Sequence, residues 1–167
     1  MSFHMRENKM KTYMAIAVVA MMPGLALAAG DHPGGHGHGL PIGAPAEAAP
    51  SRTVEIVMRE DYDGEAVFVF EPGELAFEAG ETVRLHLVNA GEQDHEFVMD
   101  TPESIAEHKV LMERFPEMEH DEPNAVRLSP GEEADIAWTF ENAGTFEFAC
   151  LLPGHYDGGM HGALTVN

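Results

Sequence analysis

The chain has 167 residues, a length that usually corresponds to one domain with or without tails. It carries 9 Lys and Arg against 29 Asp and Glu, a formal net charge of −20. Because phosphate contacts need a cationic surface, this charge excludes nucleic acid as a partner held by bulk electrostatics. The single cysteine excludes an intramolecular disulfide and a multi-cysteine zinc or iron–sulfur site within one chain. The 10 histidines and 11 methionines, in contrast, are a generous supply of nitrogen and thioether ligands.

The first 28 residues are typical of a secretory signal peptide. Arg6, Lys9 and Lys11 form a basic start, an apolar run follows, and residues 26–28 supply a small-x-small cleavage pattern. The apolar run is shorter than the ~20 residues that a membrane-spanning helix needs. We therefore expect export to the periplasm and no membrane insertion after cleavage, with an uncleaved anchor as the alternative. An unpaired cysteine in an oxidising compartment then needs a reason, and a role as metal ligand is the best one.

Residues 29–51 are rich in Gly, Pro, Ala and His and show no hydrophobic periodicity. We expect them to form a flexible leader ahead of a domain at residues 52–167, because such a composition buries too little apolar surface to fold. Three leader histidines, His32, His36 and His38, lie within seven residues of one another. They are candidate ligands for copper or another divalent cation, and an ordinary soluble linker is the alternative.

From residue 52 onward, apolar and polar residues mostly alternate, and Gly- or Pro-containing turns separate the segments. Seven or eight short strands at this spacing predict an all-β protein, an antiparallel β-sandwich. One stretch breaks the pattern, because the residues from Ser104 to about Arg114 favour a helix. A turn with a proline, Thr101-Pro102-Glu103, precedes it. We place one short helix there, inserted between strands.

The end of the chain carries the spacing C-x4-H-x4-M on a Gly- and Pro-rich loop between two strands. Its residues are Cys150, His155 and Met160. A thiolate, an imidazole and a thioether this close together suit copper, since soft sulfur favours Cu(I), imidazole accepts both oxidation states and a thioether suits a long axial bond. A trigonal site needs a second imidazole, and His95, which begins a predicted strand, is the candidate.

These residues resemble those of the cupredoxins, the type 1 copper proteins of the plastocyanin and azurin kind. The matching marks are the segment from Asn89 through His95 to Phe97, the turn at residues 130–132, and Gly-Thr-Phe-Glu-Phe-Ala-Cys at residues 144–150. More narrowly, the chain is similar to exported bacterial copper-tolerance cupredoxins. The resemblance implies a Greek-key sandwich with His95, Cys150 and His155 as equatorial copper ligands and Met160 as the axial one. A copper-free sandwich with a buried cysteine is the alternative.

A second group of ligand-type residues surrounds the predicted helix. His108 and Met112 are four residues apart and so lie on one helix face. Met118 and His120 follow the helix, and Met99 precedes it. Together they could hold an additional copper, preferably Cu(I) through the sulfurs. The alternative places Met112 in the core and both histidines in solvent.

The sequence thus predicts an exported, non-enzymatic copper protein with a redox-active type 1 centre that acts in copper tolerance or homeostasis. A dedicated electron carrier between a cytochrome and a terminal reductase or oxidase is the alternative. Ala149 and Leu151 flank the cysteine where enzymes that resemble this fold have histidines, which argues against an oxidase. The acidic surface suits a basic redox partner such as a cytochrome c, or a copper-handling protein, in a salt-sensitive association.

Overall fold

The structure, a computed structural model, describes residues 40–116 and 122–167. The expected signal peptide, the leader histidines His32, His36 and His38, and the helix-following Met118 and His120 lie outside the described residues. The described part contains ten strands and one helix. In chain order they are β1 (Ala44–Pro45), β2 (Arg52–Glu60), β3 (Phe68–Glu71), β4 (Glu74–Phe77), β5 (Glu81–Asn89), β6 (His95–Asp100), α1 (Pro102–Arg114), β7 (Ala125–Leu128), β8 (Glu133–Phe140), β9 (Gly144–Ala149) and β10 (His161–Val166).

The strands form two five-stranded sheets. One has the order β1-β8-β5-β2-β3 and the other the order β4-β10-β9-β6-β7. The predicted all-β architecture with one inserted helix is confirmed. Purely antiparallel pairing is wrong in two places, because β2 pairs parallel with β5 and β10 pairs parallel with β4. In both pairs the chain visits the opposite sheet between the two partners, so it can return in the same direction.

Aromatic side chains from both sheets meet in one core. Phe70 of β3 contacts Phe97 of β6 with ring centroids 6.0 Å apart, and Phe77 of β4 stacks on Phe140 of β8 at 4.0 Å. All four rings are buried, and each pair joins a strand of one sheet to a strand of the other. The two sheets therefore pack face to face as a sandwich.

The described strands number ten where the sequence predicted seven or eight. At the turn at Pro72-Gly73 the chain leaves one sheet for the other, so that β3 and β4 belong to different sheets. A strand that the sequence did not predict is β1, which lies within the segment that we expected to be a flexible leader.

The composition predicts a flexible leader as far as residue 51, but residues 40–51 contain a buried side chain and a short strand. Ile42 is fully buried in the core, and β1 pairs with β8 through Ala44 opposite Thr139 and Pro45 opposite Trp138. The ordered part of the chain therefore begins before the expected boundary at residue 52. Composition missed it because one isoleucine and a two-residue strand are enough to hold a segment that is otherwise rich in Gly, Pro and Ala.

The inserted helix α1 agrees with its prediction. Thr101 caps it, since the Thr101 Oγ1 accepts a hydrogen bond from the Ser104 N–H at 3.2 Å. Ile105 and Met112 form its buried face, and the helix packs against β6 and β9. No helix in residues 40–116 and 122–167 is long and apolar enough to cross a membrane.

Candidate metal centre

The candidate ligands come together at one end of the sheet that contains β6 and β9. These two strands are antiparallel neighbours, so the start of β6 and the end of β9 lie at the same end of the sheet. His95 is the first residue of β6, and Cys150 directly follows β9. The Glu96 N–H donates to the Cys150 Sγ at 3.3 Å, which joins the two strand ends.

The loop from Cys150 to Met160 closes on itself through its backbone. The Cys150 N–H donates to the Met160 carbonyl at 3.0 Å, and the Met160 N–H donates to the His155 carbonyl at 3.0 Å. Gly154 and Gly159 have φ angles of +85° and +103°, a conformation that residues with a side chain rarely adopt. The glycines thus allow the tight path that returns His155 to the cysteine.

Three donor atoms meet in this pocket. Ligand atoms of His95, Cys150 and His155 all lie within 4.8 Å of one another, and this is the one such group of His, Cys, Asp or Glu in the part of the chain that the structure describes. The Nδ1 atoms of the two histidines are 3.3 Å apart, and the Cys150 Sγ is 3.4 Å from the His155 Nδ1. His95 and Cys150 are fully buried and His155 is 7% exposed. The structure brings together the three predicted equatorial ligands.

Met160, the predicted axial ligand, lies at the far end of the same loop. Its side chain is fully buried, and its backbone is hydrogen-bonded to the backbone of both Cys150 and His155. A thioether at this position is adjacent to the donor cluster along the chain and hidden from solvent. Its role as the axial ligand stays a prediction.

Burial favours the neutral form of all three donors. It raises the pKa of the Cys150 thiol to about 12. It also lowers the pKa of His155 to about 4, an effect that the neighbouring His95 reinforces, and it lowers the pKa of His95 despite the opposing charge of Glu60. Neutral imidazoles offer free lone pairs to a metal, and binding would release the thiol proton. Two imidazoles and one buried thiol fit copper, whose sites combine nitrogen with soft sulfur.

Glu96 is a residue near the ligands that sequence reasoning missed. Its backbone N–H donates a hydrogen bond to the Cys150 sulfur, and its carboxylate Oε2 accepts one from the Leu151 N–H at 3.2 Å. Glu96 is 3% exposed. It therefore holds the cysteine loop at Cys150 and at the residue that follows it. The available signal was a charged residue directly after a candidate ligand in an apolar strand.

Asn89 orders the segment that leads into His95. Its Nδ2 donates to the carbonyls of Gln93 and Leu128, both at 2.8 Å, and its Oδ1 accepts the Gly91 N–H at 2.9 Å. Asn89 is fully buried. The sequence analysis used Asn89 only as the start of the segment that resembles the cupredoxins, and nothing local indicated that the asparagine also reaches the end of β7.

The last residue of β2 and the first residue of β3 contact the two histidines, and both were also missed. The Phe68 ring stacks on the His155 ring with centroids 4.1 Å apart and an angle of 8° between the planes. A Glu60 carboxylate oxygen lies 3.3 Å from the His95 Nε2. Both side chains come from the other sheet, so no spacing near the ligands in sequence could identify them.

Three of the predicted accessory ligands, Met99, His108 and Met112, lie within the described residues. Met99 is fully buried and Met112 is 1% exposed, and both belong to the hydrophobic core. His108 lines a cavity together with Val98 and Asp100. The accessory copper site stays a prediction.

Comparison with known proteins finds similar cuproproteins and a similar solved structure. The chain is 41% identical over 138 residues to the copper-resistant cuproprotein CopI of Rubrivivax gelatinosus, covering 81% of this chain and 80% of that protein. It is 36% identical over 159 residues to the copper-resistant cuproprotein CopI of Pseudomonas aeruginosa, covering 77% and 84%. The crystal structure of auracyanin B matches with a TM-score of 0.58 and 28% identity, covering 75% of this chain and 96% of that one.

The comparison at the level of families spans most of the described residues. Residues 56–167 match the family described as copper binding proteins, plastocyanin/azurin family. This range contains every donor of the candidate centre, together with Glu60, Asn89 and Glu96. The cupredoxin resemblance inferred from the motifs is confirmed: the chain belongs to the plastocyanin/azurin family of copper-binding proteins.

Proposed function

We propose that this copper-binding protein holds a redox-active type 1 copper through His95, Cys150 and His155, with Met160 as the axial ligand. The single observation that carries the proposal is the meeting of two imidazole nitrogens and one thiol sulfur, within 4.8 Å of one another, in a buried pocket. The two elements that deliver them, the start of β6 and the loop after β9, lie in different parts of the sequence, so their meeting is a property of the fold.

The residues around the donors support a redox role. Copper bound here would supply the exchange of one electron between Cu(I) and Cu(II), which prefer different geometries. Glu96 holds the cysteine loop, Asn89 holds the segment before His95, and Phe68 packs on His155. Donors held from several sides rearrange little when the charge of the metal changes.

A Cu(II) titration of the purified protein, followed by visible absorption, tests this site. We expect an intense thiolate-to-copper band that saturates at one equivalent. The C150S variant should lose the band, because it removes the one thiol. The matched control is H161A, which removes an imidazole that directly follows the loop but is about half exposed and outside the donor group. It should keep the band. Absence of an intense band in the wild-type protein would refute the proposal.

We further propose that the protein acts in copper tolerance in the periplasm. The support is the naming of its relatives as copper-resistant cuproproteins, together with the secretory character of residues 1–28. A strain that lacks the gene should become copper-sensitive, and wild-type protein but not C150S should restore growth. Fractionation of the same cells should find the protein in the periplasm. A dedicated electron carrier would give no copper phenotype.

Additional copper binding would favour tolerance over simple electron transfer. His108 lines a cavity of about 140 Å³ with Asp100, Glu122 and Asn124, a set of nitrogen and oxygen groups. We propose this cavity as the described part of the accessory site. Copper bound beyond one equivalent, without added intensity in the thiolate band and reduced in H108A, would support it. Binding that stops at one equivalent would favour the electron carrier.

A non-enzymatic role completes the proposal. Ala149 and Leu151 flank Cys150, and neither side chain can pass electrons to a second copper as a histidine ligand would. The redox partner that we propose is basic, such as a cytochrome c, or else a copper-handling protein, since the chain carries a net charge of −20. Copper-dependent oxygen consumption by the purified protein would contradict the non-enzymatic role.

A further inference from the structure

Glu60 is a buried carboxylate beside the donor cluster. It ends β2, in one sheet, whereas His95 begins β6, in the other. The Glu60 side chain is 4% exposed and the His95 side chain is fully buried. Since a buried charge is costly unless other groups compensate it, the carboxylate needs specific partners at this position.

Two of these partners are backbone groups of the segment that leads into His95. The Glu60 Oε2 accepts the Glu92 N–H at 2.8 Å, and the Oε1 accepts the Gln93 N–H at 3.1 Å. The carboxylate thus ties the end of β2 to the turn after β5. This tie alone would make Glu60 a residue that only supports the loop.

The third partner is the His95 ring. The Glu60 Oε1 lies 3.3 Å from the His95 Nε2, a close approach without hydrogen-bond geometry, and that nitrogen has no hydrogen-bond partner among the described residues. The other ring nitrogen, Nδ1, faces His155 in the donor cluster. The two ring nitrogens therefore face different groups: Nδ1 faces the donor cluster and Nε2 faces the Glu60 carboxylate.

The local sequence makes room for this approach. A Cβ placed on Gly91 would lie 2.5 Å from the Glu60 Oε2 and 2.8 Å from the His95 Nε2. No side chain fits at this position unless the carboxylate or the ring moves. Gly91 therefore permits the turn to pass directly over the contact between the carboxylate and the imidazole.

We infer that Glu60 is a positioning residue for His95, which holds the ring with Nδ1 turned to the donor cluster and places a fixed negative charge behind it. The inference rests on the proposed type 1 centre. A carboxylate behind a ligating imidazole fixes its tautomer and makes it a stronger donor. A nearby negative charge also stabilises Cu(II) more than Cu(I), because Cu(II) carries the larger positive charge. Glu60 should therefore lower the reduction potential of the centre.

The test compares three variants of the full protein by redox titration of the visible band. In E60Q, which keeps the shape and removes the charge, the ratio of Cu(II) affinity to Cu(I) affinity should fall about tenfold, which raises the one-electron potential by about 59 mV. E60D keeps the charge and should stay closer to wild type than E60Q does. The matched control, E92Q, removes an exposed carboxylate from the same turn and should change the ratio less than about twofold.

A purely structural role gives a different result. If E60Q lowers the stability of the copper-free protein but shifts the potential no more than E92Q, Glu60 only supports the loop and the inference is wrong. The His95 tautomer, read from imidazole ¹⁵N shifts in the copper-free protein, tests the contact without copper. The Nε2–H form is expected in wild type, and the Nδ1–H form would overturn the inference. A wild-type protein without the thiolate band but with the Nε2–H form would refute the proposed centre and leave the contact intact.

Discussion

Replacing Asn89 by alanine should destabilise the segment that delivers His95. The substitution removes three side-chain hydrogen bonds, two donated by the Nδ2 and one accepted by the Oδ1. Each such bond contributes about 1 kcal/mol net, so the expected loss in the free energy of unfolding is about 3 kcal/mol. Because Asn89 is fully buried, water cannot easily take over the partners that it leaves behind. The loss should therefore be of this order.

Urea unfolding of the copper-free protein measures this loss, since bound copper would add its own stabilisation. The matched control is Asn142→Ala, which removes one exposed hydrogen bond to the Pro41 carbonyl and should cost less than about 0.5 kcal/mol. A loss for Asn89→Ala below about 1 kcal/mol, or equal to that of the control, would refute the assignment of Asn89 as the organiser of this turn.

Three further predictions concern the surroundings of the site and the outer face of the sheet. Phe68→Ala should cost about 2 kcal/mol of stability and speed bleaching of the thiolate band by added cyanide, because it uncovers the His155 ring. The control is Tyr62→Ala, which removes an exposed ring from the connection between β2 and β3 and should do neither. Gly158→Ala should destabilise by about 1–3 kcal/mol, since its Cβ would lie 2.5 Å from the Phe68 ring, and unchanged urea unfolding would contradict the packing. A hydrogen bond to an aspartate on β8 raises the pKa of His86. The contribution of this contact to stability is therefore present below about pH 6.5 and is lost as the pH rises through the folded pKa. In His86→Asn, the pH dependence of the free energy of unfolding should lose this contribution, and an unchanged profile would contradict the prediction.

Local patterns were sufficient to propose the donors and to predict the kind of fold. The spacing from Cys150 to His155 and Met160 lies within one loop, and the alternation of apolar residues reports each strand by itself. His95 was found because a candidate ligand at the start of a strand is visible in a single segment. These features depend on neighbours along the chain, which a sequence displays directly.

Other features depend on which strand ends meet, and local patterns carry no information about that. Glu60 and Phe68 belong to one sheet, whereas His95 begins a strand of the other sheet and His155 lies on a loop that follows one. Ile42 shows the same effect, since one buried side chain orders a segment whose composition predicts flexibility.

The amino-acid sequence by itself predicted the candidate donors, the β-strands and the helix, because each is recognised from residues a few positions apart. Only the tertiary structure decided what surrounds the donors: the carboxylate behind His95, the ring on His155 and the buried asparagine at the turn. The physical reason is that a copper ligand is selected by its own chemistry, whereas the groups that orient it are selected by position. That position is set by the packing of two sheets whose strands are distant along the chain.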